Sequence, residues 1–439
     1  MSAGGYEAAG DNLFFMDVEI EEEIKKPTIQ KWEGNLAGDI DYIIPFDCLA
    51  RTIQQWILKG SMYPQPAIAY AAAMSVLSVC IGRDIAIDNI KGNIMTIAMA
   101  ESGEGKDYPF KAARRILDAV NLGHKVQSKM ASGAALIEAL SDNPSMLLHV
   151  DEMGNYLDSI NGFGANNYAK EIVGIITECY TSASDRFRGK RTKGNEPDDI
   201  VEPNLCVMGL SSERQVMDGL SSKDVANGSL ARYLFMFGES GLMPKRVVSA
   251  DFDTVPDEIV SGLNELIDKY SKRSLNTAVK LPVSDEYREE MWQLTCTMKK
   301  RANSLASAGG EKAAFVPFLN RIAFRSFQFS MLIDSSCNVE VLKWVADKDL
   351  KSSELFSKKF RHVSGDNENE KNQKLIIAII KESGKAGISK STLTRRAGRL
   401  NPIVRAAILA DFESSGLVYV EKKRVKNSRK ESNVYFWIK

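Results

Sequence analysis

The sequence has few of the residues from which disulfide frameworks and metal centres are built. Its 439 residues include six cysteines, with no CxxC pair, and three histidines that are not spaced as metal ligands. The longest apolar stretch, residues 67–81, is interrupted by two serines and is shorter than the roughly 20 residues of a membrane-spanning helix. The N-terminus lacks the basic and apolar segments of a secretory signal. We therefore expect a reduced, cytoplasmic protein with no membrane partner.

A net charge is also absent, because 57 Lys and Arg residues balance 57 Asp and Glu residues. The two signs are nevertheless segregated along the chain. Residues 1–44 carry ten acids and three bases, whereas residues 385–439 carry thirteen bases and four acids, a net charge of +9. This segregation predicts an acidic flexible arm over residues 1–44 and a basic interaction module at the C-terminal end.

The apolar pattern predicts an α/β core. Runs of strand length occupy residues 93–100, 146–150, 205–210 and 233–237, and helical stretches separate them. Such alternation is typical of a mostly parallel sheet covered on both faces. Past residue 251 the pattern is helical. We expect a core with its N-terminal helices over 45–250, a helical lid subdomain over 251–361, a linker over 362–372 and a separate module over 373–439.

The first of these strands runs into a glycine-rich turn, ESGEGKD, and then into a helix. Such a turn lets successive backbone N–H groups surround phosphate oxygens, with a lysine reaching the terminal phosphates. The usual pattern, GxxxxGK[ST], has Ala100 at its first position here and Asp107 at its last. Asp107 either ligates Mg²⁺ in place of the usual hydroxyl or repels the nucleotide. The predicted nucleotide ligands are Ser102, Gly103, Glu104, Gly105, Lys106 and Asp107.

Two carboxylates, Asp151 and Glu152, directly follow the apolar run 146–150. Ligands of open α/β sheets bind at the carboxyl ends of the strands. There Asp151 would hold Mg²⁺ through water, and Glu152 would orient or deprotonate the attacking water. A solvated turn is the alternative for an Asp-Glu pair taken alone. Together with the glycine-rich turn, the pair favours a site for ATP and Mg²⁺.

Residues 46–333 carry several short motifs that are more specific together than singly. Through these motifs the chain resembles a P-loop ATPase family of phage and mobile-element replication proteins, found beside primase and helicase modules. The resemblance implies a P-loop NTPase core, an ATPase of replication and a helicase-like ring. The motifs are the helices before Ile81-Gly82-Arg83, the ESGEGKD turn, residues 129–133 with 136–140, LLHVDEMG at 147–154 and GSLARYLF at 228–235.

A basic stretch, residues 185–193, lies between the acidic pair and the strand at 205–210, and it is interpreted as a hairpin. This order looks like the AAA+ helicases of superfamily three, whose hairpins line a central pore and touch the nucleic-acid backbone. The resemblance implies that Lys190, Arg191 and Lys193 contact single-stranded DNA there without reading bases. An exposed basic loop without a function is the alternative.

The same resemblance implies roles for two further residues. Ser211 stands where AAA+ proteins place a polar sensor that orients water, although a hydroxyl capping the following helix is the alternative. Arg232 stands where an arginine would reach the neighbouring subunit's nucleotide and stabilise transition-state charge, and an ion pair within the subunit is the alternative. Arg321 and Arg325 suggest a surface ion-pair stripe or a contact to the γ-phosphate from the lid.

The C-terminal module is predicted to contain three helices and then two strands joined by a basic turn. This order resembles a winged helix-turn-helix domain. Bases on the third helix and in the turn favour contact with duplex DNA, and docking to a protein is the alternative. The predicted DNA-contacting residues of the module are Arg405, Lys422, Lys423, Arg424, Lys426, Arg429 and Lys430.

Motifs and resemblance together predict an ATP-dependent DNA helicase or translocase of phage or mobile-element replication. We expect a homo-oligomer, specifically a hexamer. Single-stranded DNA would bind in its pore and duplex DNA at the winged helix, and replisome proteins would be further partners. If phage-encoded, it would act in the host cytoplasm. One alternative is a non-motor ATPase that loads a helicase or initiates replication. The other is a DNA-binding regulator whose ATPase fold is degenerate.

Overall fold

The structure is a computed structural model that describes most of the chain beyond residue 39. The secondary structure begins with two helices and then alternates strands with helices. No helix in the described ranges combines the length and the apolarity that crossing a membrane requires. The described residues are 40–161, 167–189, 199–220, 228–247, 252–271, 278–308, 313, 315–363, 368–398, 400–424 and 431–438.

The first half of the described chain is an alternation of strands and helices. Its elements are α1 (Leu49–Gly60), α2 (Pro66–Ile81), β1 (Ile85–Ile87), β2 (Ile90–Lys91), β3 (Met95–Met99), α3 (Asp107–Ala119), β4 (Val126–Gln127), α4 (Gly133–Asp142), β5 (Ser145–Val150), α5 (Met153–Asn161), α6 (Asn167–Thr181), β6 (Arg186–Arg188), β7 (Asp199–Val201), β8 (Asn204–Ser211), α7 (Glu213–Asp218) and β9 (Leu234–Phe237).

The second half is mostly helical and ends in a small sheet. Its elements are α8 (Asp257–Tyr270), β10 (Val279–Lys280), α9 (Asp285–Ala308), α10 (Val316–Ile333), α11 (Val339–Val363), α12 (Glu368–Glu382), β11 (Ile388–Ser389), α13 (Lys390–Arg396), α14 (Pro402–Ser414), β12 (Val418–Arg424) and β13 (Glu431–Trp437).

A parallel sheet of five strands forms the centre, in the order β4-β5-β8-β3-β9. The mixed α/β class with a parallel sheet is thus confirmed, and this sheet is compatible with a P-loop-like core. The strands β3, β5, β8 and β9 are buried along their lengths, as expected for parallel strands covered on both faces. Met99 is in register with Ser211, and Val150 with Gly209, so the carboxyl ends of β3, β8 and β5 lie at one edge.

The charge pattern predicted that residues 40–44 belong to a flexible arm, but in the structure this segment packs against the core. Tyr42 and Ile44 are buried. The Gln54 side chain fixes this segment, because its Oε1 accepts from the Ile44 amide at 2.9 Å and its Nε2 donates to the Tyr42 carbonyl at 2.7 Å. The Tyr42 hydroxyl donates to Ser352 Oγ at 3.0 Å. Residues 1–39 of the predicted arm lie outside the described residues.

The helices of the predicted lid subdomain are built into the core. Residues of α10 and α11 pack in both hydrophobic clusters that flank the sheet, and Phe356 of α11 stacks on Phe235 of β9. Arg325 of α10 is buried and binds Asp349, with its Nε 2.9 Å from Asp349 Oδ2. The expectation of a surface stripe at Arg325 is therefore wrong, because this residue faces the interior of the helical layer.

Helices extend into the predicted linker from both sides. Helix α11 ends at Val363 and α12 begins at Glu368, while residues 364–367 lie outside the described part. Beyond them, α12, α13 and α14 surround a separate apolar cluster that includes Ile380 and Phe412, with the sheet order β11-β13-β12. The elements follow one another as helix, short strand, helix, helix and hairpin.

Candidate functional site

The glycine-rich turn after β3 is open on one side and tightly packed on the other. Gly103 and Gly105 have φ angles of +82° and +81°, the left-handed region that favours glycine. A Cβ added to Gly103 would meet nothing within 4 Å, whereas one added to Gly105 would lie 2.4 Å from the Tyr63 carbonyl oxygen. The turn therefore packs on Tyr63 and leaves the Gly103 backbone accessible to a ligand.

Lys106 immediately precedes α3, and its side chain is buried with a relative exposure of 9%. Among the described residues, neither a carboxylate nor a carbonyl binds its ammonium group. A helix N-terminus favours anions, and an ammonium that the protein does not pair is available to phosphate oxygens. A polyphosphate at the turn would interact with both, so the residues present fit the predicted nucleotide.

The turn is held by contacts that sequence reasoning missed. Gln65 donates through Nε2 to the carbonyl oxygens of Glu104 and Glu239, each at 2.8 Å, and its Oε1 accepts from the Glu239 amide at 2.9 Å. The Glu104 carboxylate in turn accepts from the Gly241 amide at 3.0 Å. These bonds tie the turn to the chain after β9, which restricts its conformation before any ligand binds.

The acidic pair lies at the same sheet edge, at the end of β5. Asp151 is exposed, and its Oδ1 accepts from the Glu152 amide at 2.9 Å. Glu152 has a φ of +58°, an unfavourable conformation for a residue with a side chain. Such outliers persist where the surrounding structure imposes them and cluster at functional sites. One strand, β8, separates β5 from β3, so the pair is about 10 Å from the turn by strand spacing.

The few carboxylates near the turn suit Mg²⁺, which binds together with phosphates, better than they suit a metal ion that needs all its ligands from the protein. Asp107 is the exposed first residue of α3, and Asp151 lies at the end of β5. No three His, Cys, Asp or Glu side chains cluster as a cation site within the described ranges. Mg²⁺ commonly uses one or two carboxylates together with substrate phosphates. Asp107 and Asp151 therefore fit a metal that arrives with a nucleotide.

Ser211, at the end of β8, lies between the turn and the acidic pair. It is fully buried, its Oγ accepts from the Gly154 amide at 3.2 Å and it donates to Gln215 Oε1 at 3.2 Å. The neighbouring Ser212, rather than Ser211, caps α7. Ser211 thus joins the strand to the first turn of α5, directly after Glu152, and its role as a sensor stays a prediction.

Arg232 points into its own subunit. Its Nη1 donates to the Gly228 carbonyl at 2.8 Å, and its guanidinium lies 5.8 Å from the centroid of the Tyr180 ring. Burial lowers the pKa of the Arg232 guanidinium, and Arg321 nearby lowers it further. No carboxylate in the described part of the chain pairs with Arg232. A contact with a neighbouring subunit therefore stays a prediction that requires this side chain to move.

The basic stretch before β8 contains two antiparallel strands, β6 and β7, as predicted for a hairpin. Phe187 and Ile200 are buried and anchor it, whereas Arg186 and Arg188 are exposed. Asp199 partly neutralises these arginines, with its Oδ2 2.5 Å from Arg186 Nη1. The predicted DNA contacts Lys190, Arg191 and Lys193 lie outside the described residues.

Only part of the predicted DNA surface of the C-terminal module is described. Arg405 is turned toward its own domain, where Nη1 donates to the carbonyls of Ala397 and Leu400, each at 3.3 Å. Lys422 and Lys423 are exposed on β12, and Lys423 pairs with Glu421. The backbone of Arg424 ends that strand, and Lys426, Arg429 and Lys430 lie outside the described residues.

Comparisons with known proteins give a weak structural similarity. No family model matches the chain, and no curated protein matches it. Among solved structures it is similar to SCCmec type IV Cch, an active helicase, with a TM-score of 0.35 and 11% sequence identity. The match covers 89% of this chain and 69% of the other. A similarity of this size carries no argument about activity, so the functional proposal rests on the site itself.

His149 on β5 provides a test of how the strand beside the acidic pair is packed. Its ring stacks on Phe110 of α3, and burial, with a smaller effect of Arg114, lowers its pKa from 6.5 to about 3. The unfolded chain therefore binds more protons between these values. We expect the contribution of His149 to the free energy of unfolding to be fully present above about pH 6.5. It should be lost as the pH falls toward 3, by at most about 1.4 kcal/mol per pH unit.

The measurement is urea unfolding of the wild type and of His149→Phe between pH 4 and pH 8. The variant keeps an aromatic ring for Phe110 but removes the titrating group. Its stability should therefore decline less on acidification than that of the wild type. Parallel pH profiles for the two proteins would contradict the buried, neutral histidine.

Proposed function

We propose that this protein binds and hydrolyses ATP with Mg²⁺ and uses the hydrolysis to act on DNA as a replicative helicase or translocase. The observation that supports this most strongly is the position of Lys106, whose ammonium is bound by no carboxylate or carbonyl of the described residues. This residue lies at the open glycine turn, on the same sheet edge as Asp151 and Glu152. Ligands bind at this edge in open α/β sheets.

The residues of the site divide the work of phosphoryl transfer. The amides of Gly103 and Gly105 and the ammonium of Lys106 would hold the phosphates. Asp107 and Asp151 would hold Mg²⁺, which neutralises charge on the phosphates when bound. Glu152 would orient or deprotonate water, and Asn155 Nδ2, 3.5 Å from Glu152 Oε2, lies where it can help to position that carboxylate.

The action on DNA is supported by two basic surfaces at different places in the fold. The hairpin of β6 and β7 carries the exposed Arg186 and Arg188 and leads into the basic residues 190–193. The basic residues 422–424 belong to β12, and the sequence between β12 and β13 adds Lys426, Arg429 and Lys430. In the proposal the first contacts single-stranded DNA in the pore of a hexamer, completed by Arg232 in trans, and the second contacts duplex as the wing of a winged helix.

A second role for the C-terminal module is favoured by the surface of α14. Ile403 is 79% exposed and Val404 is 36% exposed, both in the first turn of this helix. Arg405, the only base in the helix, is bonded to its own domain. An apolar helix surface of this kind suits a protein partner such as a replisome component. The DNA contact of the module then depends on the hairpin rather than on α14.

ATP turnover is the first test. We expect Lys106→Ala to abolish ATP binding, because no other described base takes the place of its ammonium in the turn. Glu152→Gln should retain binding and slow hydrolysis by about 10²- to 10⁴-fold. Lys111→Ala, an exposed lysine one turn further along α3, is the matched control and should keep wild-type turnover.

The same assay, run with and without single-stranded DNA, separates the alternatives. Turnover stimulated by DNA supports a motor, whereas slow turnover without stimulation supports a loader or initiator. Absence of any ATP binding by the folded wild type would contradict the proposal and leave a DNA-binding regulator.

DNA binding by the module is the second test. Replacing Lys422 and Lys423 with Ala should weaken duplex binding and reduce the slope of log K against log salt by about 0.9 for each phosphate that these lysines neutralise. Replacing Ile403 and Val404 with Ser in the full chain should leave duplex affinity within about twofold of the wild type. The reverse result, in which only the α14 variant binds duplex more weakly, would refute the assignment of DNA to the hairpin. Fluorescence anisotropy over a salt series measures both.

A further inference from the structure

A cleft of about 570 Å³ separates the glycine turn from the C-terminal module. The core lines it with Glu101, the first residue of the turn, and with Glu213 and Arg214 of α7. The module lines it with Arg395 and Arg396 of α13. This volume lies within the roughly 300–1,000 Å³ of small-molecule sites. The module therefore faces the turn across a space large enough for part of a nucleotide.

The charged groups of the cleft differ in whether they have partners. Lys359 Nζ lies 2.7 Å from a Glu213 carboxylate oxygen, and Arg214 Nε lies 3.7 Å from Asp218 Oδ2. Arg396 pairs with Glu382. Arg395 has no such carboxylate among the residues that the structure describes. Its guanidinium is thus the cationic group of the module that can bind a ligand in the cleft without breaking an ion pair.

The position of the cleft indicates which part of a nucleotide it would receive. Helix α7 directly follows β8, and β8 lies between β3, which leads into the turn, and β5, which leads into Asp151. The cleft is therefore on the side of the turn that faces the proposed Mg²⁺ ligands. A nucleotide whose Mg²⁺ were held by Asp107 and Asp151 would have its terminal phosphate on this side.

We propose that the C-terminal module completes the nucleotide site of its own chain, with Arg395 binding the terminal phosphate of ATP across the cleft. This inference rests on the proposed ATP site at the turn. Guanidinium groups bind phosphate oxygens in a bidentate manner, and such charge-assisted bonds are stronger than neutral ones. Glu101 carries the opposite charge at the edge of the turn, but a polyphosphate outcompetes a single carboxylate for the guanidinium because it carries several charges.

The contact makes the module a reporter of the nucleotide state. ATP has the terminal phosphate that Arg395 binds, and ADP lacks it. Hydrolysis therefore releases the module from the core, and ATP holds it in place. Because such coupling is reciprocal, a DNA or protein ligand that moves the module also changes the affinity for ATP more than the affinity for ADP.

The test is titration of the full chain with fluorescent ATP and ADP analogues in the presence of Mg²⁺. Arg395→Gln should raise the Kd for the ATP analogue about tenfold and leave the Kd for the ADP analogue within about twofold. Arg395→Lys should recover part of the affinity, because it keeps the charge. Lys390→Gln, an exposed base at the other end of α13, is the matched control and should bind both analogues like the wild type.

The outcomes separate this inference from the proposed function. If the wild type binds neither analogue, the proposed ATP site itself is refuted. If the wild type binds ATP but Arg395→Gln leaves both dissociation constants unchanged, the ATP site stands and the role of Arg395 is refuted. An equal loss of ATP and ADP binding, accompanied by a lower melting temperature, would also overturn it, because such a loss reports structural damage rather than a contact with the terminal phosphate.

Discussion

Lys106 lies largely buried at the start of α3, beside a turn whose Gly103 backbone is accessible, and no carboxylate or carbonyl of the described residues binds its ammonium. Such an ammonium is available to the phosphate oxygens of a ligand. The surrounding structure is consistent with that purpose, since Gln65 fixes the turn from one side and the parallel register of β3, β8 and β5 brings two carboxylates to the same edge. The proposed chemistry depends on this arrangement.

The sheet was predictable because parallel strands covered on both faces are continuous apolar runs, as at β3 and β8. The strand β4, only two residues long, has no such run and was missed. The contacts of Gln65 could not be predicted from the sequence either. They join Gln65 to Glu104 and Glu239, which are 39 and 174 positions away in the chain, so they leave no local pattern. The end of the acidic arm was wrongly placed at residue 44, because the prediction followed the acidic charge of the segment and not its apolar residues. Two of these, Tyr42 and Ile44, are buried.

The candidate site was predictable in its motifs but not in its surroundings. The turn and the acidic pair follow strands, and the fold of a parallel sheet brings such strand ends together. The position of Arg232 over the Tyr180 ring depends on packing between elements far apart in the chain, which a single sequence does not reveal. The inward direction of Arg405 depends on bonds to the segment just before its helix, and the amphipathic pattern does not show them either. The placement of α13 opposite the turn depends in the same way on how the module packs. The glycine turn and the C-terminal module thus line the same cleft.

Hydrogen exchange of the full chain, followed by mass spectrometry with and without MgATP, tests the central claim most directly. If the phosphates bind at Lys106 and the glycine turn, amides of residues 101–107 should exchange more slowly when ATP is present, and those of α9 should not change. Unaltered exchange over residues 101–107 at millimolar MgATP, in protein whose other amides are protected as expected for a folded chain, would contradict the account.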